Sequence, residues 1–167
     1  STPEGGVTLV KGETGCPATT CVNLECKVKT CATGVTTNIK GKVYDPAGLV
    51  PLYNAVVYLP NAMYEPFTPG VSCDRCVGNA TAVIATATTD YKGEFILKNV
   101  PSGTNVPMVI QLGRWRRMVL LPSVKDCVDN TITDVNLLRL PRNKSEGDIP
   151  QMALATGGAD PFQCLLV

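Results

Sequence analysis

The chain has 167 residues, 15 of them basic and 14 acidic, and this near-neutral balance argues against nucleic acid as a partner. Hydrophobic residues make up 44% and charged residues 17%, a composition that excludes disorder and suits one domain with a buried core. No histidine occurs, so Ser-His-Asp and Cys-His mechanisms are excluded, and no run of about 20 apolar residues predicts a membrane span.

Eight cysteines dominate the composition: Cys16, Cys21, Cys26, Cys31, Cys73, Cys76, Cys127 and Cys164. An even count at this density predicts cystines and an oxidising compartment, although spacing leaves all 105 pairings open. Asn79-Ala80-Thr81 and Asn143-Lys144-Ser145 fit the N-glycosylation pattern of secreted proteins.

Residues 1–15 read as an extended arm with an apolar patch from Val7 to Val10, either a loose terminus or a strand for a sheet edge in its own or a neighbouring chain. Residues 16–31 carry four cysteines at a strict Cys-x4-Cys interval. They hold too few large apolar residues to build a core, so cross-links must order them. Each closed loop would contribute about 2–4 kcal/mol.

From residue 36 the pattern becomes that of short strands. Asn38 to Tyr44 alternates, with Ile39, Gly41 and Val43 on one face. Asp45-Pro46-Ala47-Gly48 forms a turn, Ala55 to Leu59 a second strand, and residues 60–80 a long Pro- and Gly-rich loop holding Cys73 and Cys76. Thr81–Thr89 and Glu94–Lys98 read as a hairpin around Asp90-Tyr91-Lys92-Gly93. Met108–Leu112 and Met118–Leu121 are two more strands, and Thr131–Leu140 is the last. Beyond Pro141 the chain is looser, with Ile149, Met152 and Leu154 as an optional short strand. Asp160-Pro161 then resembles a helix start that soon runs out of sequence, which suggests a processed or trimmed product.

About seven short strands with turn signals predict an all-β sandwich. Residues 1–35 form its arm and cysteine-rich extension, residues 36–141 the sandwich, and residues 142–167 an irregular tail. The stretch from about residue 37 to 121 resembles the carboxypeptidase regulatory-like domain, a seven-stranded transthyretin-like or Ig-like sandwich. Carrying the resemblance are Ile39-Lys40-Gly41-Lys42-Val43-Tyr44-Asp45-Pro46-Ala47-Gly48, Pro51 to Leu59, Thr88-Thr89-Asp90-Tyr91-Lys92-Gly93-Glu94-Phe95 and Val100-Pro101-Ser102-Gly103. The long loop with its Cys-x-x-Cys, the four-cysteine segment and the C-terminal stretch depart from that pattern. The whole chain looks like cysteine-rich secreted or surface-anchored bacterial proteins. The resemblance implies an accessory, non-catalytic module and supplies no catalytic residue.

Three constellations compete for chemistry. Cys73-Asp74-Arg75-Cys76 reads as two bridge cysteines, one of them reaching Cys127, ahead of a redox dithiol or thiolate metal site. It lies in a Pro/Gly loop rather than at a helix start. Arg114-Trp115-Arg116-Arg117 reads as a hairpin whose arginine stems cover Trp115, ahead of a polysaccharide platform. Alternation puts Trp115 and Arg117 on one face, Arg114 and Arg116 on the other. Asp126, Asp129 and Asp134 read as turn residues ahead of paired catalytic carboxylates. No cofactor or metal is expected.

The expected function is therefore a non-catalytic structural or adhesive module, extracellular, surface-bound or periplasmic. Its partners would be other copies or other surface proteins, including a filament joined through the N-terminal arm. Polysaccharide binding at Trp115 and thiolate metal or redox chemistry at Cys73 and Cys76 are the alternatives.

Overall fold

The computed structural model describes residues 21–63, 66–67 and 83–151. A short 3-10 helix, Asn23–Lys27, precedes seven strands. They are β1 (Asn38–Lys42), β2 (Val56–Pro60), β3 (Val83–Thr88), β4 (Glu94–Leu97), β5 (Gly103–Leu112), β6 (Trp115–Val124) and β7 (Asp129–Thr131). A one-turn helix α1 (Val135–Leu138) follows. One sheet has the order β4-β1-β7 and the other β3-β2-β5-β6, so the fold is the expected all-β sandwich.

Alternation builds the core. Ile39 of β1 and Val43 just after it, Val57 and Leu59 of β2, Phe95 and Leu97 of β4, Val106, Met108 and Ile110 of β5, and Val119 and Leu121 of β6 all face inward. Gly41 shares that inward face, and a β-carbon there would meet Phe95 Cε1 and Leu138 Cδ1 at 3.0 Å each. The absent side chain lets Phe95 and Leu138 close over the middle of β1. On the opposite face of the larger sheet Tyr58 and Val109 are register partners, and both are buried as well.

Two expected elements take another form. β3 and β4 are not hairpin partners: β3 pairs with β2 and β4 with β1, in different sheets. The intervening turn is tight, with the Lys92 and Glu94 N–H groups donating to Asp90 Oδ1. Thr89, however, is anchored to the start of β2 through Leu52 O and the Ala55 N–H, so the reversal carries the chain across the sandwich. The predicted last strand, residues 131–140, is split into β7 and α1. Asp134 Oδ1 accepts the Asn136 N–H and caps the helical turn, which buries Leu138 instead of continuing the ladder. The arm at Val7–Val10, Met152, Leu154 and Asp160-Pro161 lie outside the described residues.

Candidate functional site

β1 runs between two clamps of different chemistry. At its start, Cys31 is bonded to Cys127 across 96 positions of sequence, which ties the cysteine-rich extension to the β6–β7 connection. Around this cystine the Cys127 N–H donates to Thr37 Oγ1 at 2.9 Å and the Asn38 N–H to Val128 O at 3.1 Å. Thr37 itself is buried, so the backbone N–H of a strained position has a protein acceptor; Cys127 has φ +54°. Cys21–Cys26 closes a short loop around the 3-10 helix. The partner of Cys127 is thus Cys31 and not Cys73 or Cys76, a correction that spacing could not have supplied. Cys16, Cys73, Cys76 and Cys164 lie outside the described residues, as does Asn79.

The second clamp is built by arginines. Arg139, 5% exposed, presents Nη1 and Nη2 to Glu146 Oε2 and Oε1 at 2.6 and 2.7 Å, a bidentate pair. Glu146 also accepts the Arg142 N–H, and these donors hold its carboxyl down at about 2. The Arg142 side chain donates back to Pro46 O and Ala47 O in the turn after β1. Arg117 donates from Nη1 to Asn136 O and Arg139 O. Burial and the neighbouring Arg139 charge hold its pKa below the arginine norm.

Arg116 is 3% exposed. Its side chain pairs with Asp148 at 2.8 Å, and its backbone exchanges two hydrogen bonds with the same residue. The phenyl ring of Phe67 lies 3.8 Å from its guanidinium carbon, with Arg114 farther off at 5.6 Å. The cation–π partner of the cluster among the described residues is Phe67 rather than Trp115. Trp115 is half-buried and packs against the core, on the face shared with Arg117 as alternation predicts. Sequence reasoning missed Glu146 and Asp148; three arginines around a tryptophan and a later Glu-x-Asp carry no spacing rule that links them.

A groove of about 600 Å³ lies at the smaller sheet, with Lys40, Lys42, Tyr44, Glu94, Ile96 and Thr131 among its lining. Lys40 pairs with Asp129 and Lys42 with Glu94. The Lys40 ammonium and the Asn38 amide hold the Asp129 carboxyl below its usual range. Asp134 caps α1, and Asp129 is held by Lys40 and Asn38, so these two aspartates serve the structure of their own elements. Among the described residues no group of three His, Cys, Asp or Glu side chains could hold a metal ion, and no helix is long and apolar enough to cross a membrane.

Asn143 is exposed, and its Oδ1 accepts the Ser145 N–H at 3.0 Å and the Ser145 hydroxyl at 2.6 Å. Sandwich and cystines define a class, the disulfide-tied β-sandwich. No protein-family model matches the chain, and no curated protein or solved structure matches it.

Proposed function

We propose that the chain is a non-catalytic structural or adhesive module of the cell surface, or of another oxidising compartment outside the cytoplasm. The observation that carries this reading is the Cys31–Cys127 cystine, which makes the cysteine-rich extension and the sandwich one covalently closed body. The chemistry of the arginine cluster points the same way. Arg116, Arg117, Arg139 and Arg142 spend their donors on this chain's own carboxylates and carbonyls, an arrangement that stiffens a scaffold. A sugar platform at Trp115 has less support, because that ring packs on the core. The partners proposed are further copies of the chain or other surface proteins, and exposed Asn143 is the proposed glycan acceptor.

Mass spectrometry of the intact, unreduced protein tests the reading. A deficit of about eight hydrogens relative to the reduced chain, from four bridges, is expected. Free thiols at Cys31 and Cys127, or a thiolate-bound metal in the native mass, would overturn it. The same spectrum reads glycan at Asn143.

A further inference from the structure

Four strands border the two sheets among the described residues: β4 and β7 in one, β3 and β6 in the other. A border strand offers unpaired N–H and C=O groups and recruits another strand unless it is short, charged, broken by proline or covered. Three borders are defended in these ways. β7 has three residues and includes Asp129. β4 has four, opens with Glu94 and is followed by Lys98. β6 holds Arg116, Arg117 and Pro122, and Asp148 covers its first turn through two backbone hydrogen bonds. β3 differs: its six residues, Val-Ile-Ala-Thr-Ala-Thr, include no charge and no proline.

The chain also heads toward this border. The Ser102 N–H donates to Lys27 O at 3.2 Å, and the Glu25 N–H donates to Asn61 Oδ1 at 3.1 Å. Ser102 directly precedes β5 and Asn61 directly follows β2. Traced backward from Lys27 to Glu25, the chain therefore steps from the beginning of β5 to the end of β2. The strand beyond β2 is β3, and its beginning lies at this same end, since Pro60 pairs with Val83.

We propose that β3 is a strand-accepting edge and that its occupant is the chain's own Val7–Val10, a segment outside the described residues. Gly6-Val7-Thr8-Leu9-Val10 matches β3 in kind, uncharged and rich in β-branched residues. An arm that reaches Cys21 from the Val83 corner runs antiparallel to β3, so the pairing needs no crossover. The ten linking residues, 11–20, span up to about 33 Å, against about 20 Å for a six-residue strand. A tether that short holds the arm at a millimolar effective concentration, so at micromolar protein it outcompetes the arm of a second copy. The arm becomes the fifth strand of the larger sheet. This inference goes beyond the functional proposal and does not depend on it.

Amide hydrogen exchange on the full chain tests it, read at β3 with Leu9→Pro as the variant. Proline removes an N–H and disrupts a ladder. In the unaltered chain the outward β3 amides should be protected to the same degree at about 2 and about 200 μM. Leu9→Pro should speed their exchange about tenfold or more. A synthetic Glu4–Gly12 peptide added to that variant should restore protection. Equal β3 exchange in the two chains would overturn the proposal. So would protection that rises with concentration alongside a dimer mass in light scattering, because the arm would then serve a neighbour. Neither result alters the cystine count on which the functional proposal rests.

Discussion

The two ends of β1 are closed by different chemistry, and the contrast shows how a loop-rich sandwich can be held. At the Asn38 end a single covalent bond, Cys31–Cys127, joins positions 96 apart, with Thr37 and Val128 satisfying the backbone around it. At the Lys42 end the same work is spread over Arg117, Arg139, Arg142 and Glu146, with Tyr44 bonded to the backbone of Leu138 and Leu140. A cystine acts mainly by restricting the unfolded chain and is indifferent to pH in the physiological range. An ion pair with a buried arginine acts in the folded state, where losing one partner strands the other charge.

The comparison can be broken most severely at the sulfur end. Cys127→Ser should lower unfolding free energy by about 4 kcal/mol, as loss of a loop near 100 residues predicts, measured by denaturant titration. Reducing agent alone should reproduce most of that loss. At the arginine end, Glu146→Gln leaves the Arg139 guanidinium buried beside a neutral amide and should cost about 3 kcal/mol in the same measurement. Gly147→Ala sharpens the point, because a β-carbon there would lie 2.3 Å from Arg116 O and must push residues 146–148 off β6. A loss of about 2 kcal/mol is expected, with the Asp148 N–H exchanging faster.

The two ends should also separate by pH. The Glu146 carboxyl sits at about 2 when folded and near 4.5 when unfolded, so its pair stabilises fully above the unfolded value. That stability should drain away as pH falls from about 5 toward 2, lowering the melting temperature of the parent chain. Glu146→Gln should flatten that part of the curve, whereas Cys127→Ser should leave its slope in place. The smallest effect belongs to Lys40→Ala, which removes an exposed, solvent-screened pair with Asp129 and should leave the denaturant midpoint almost unmoved.

Much of the sandwich was legible because alternation at Ile39 and Val43 is a local signal that burial confirms, and the apolar run Ala55 to Leu59, ended by Pro60, reads as a strand that is buried nearly throughout. The turn at Asp90–Gly93 was legible as a turn but not as a passage between sheets. Asp90 fixes only the reversal, while Thr89 and its contacts with Leu52 and Ala55 decide which ladder each arm joins. Residues 131–140 alternate well enough to imitate a strand, and the competing signal was Asp134, a helix cap standing directly before Val135. The arginine clamp was legible only as a basic cluster. Its meaning depends on Glu146 and Asp148, about 30 positions from Arg116, and no periodicity connects them.

The Cys31–Cys127 bond also fixes how the body would carry tension. A pull applied at residues 21 and 151 passes through that bond, so the 95 residues between the two cysteines cannot be drawn out while it is intact. Only residues 22–30 and 128–151 can unravel, and with the loop around Cys21–Cys26 also closed, the extension is limited to about 100 Å at full stretch. Reduction would release several times that length. A protein of this design would yield briefly under load and then stop.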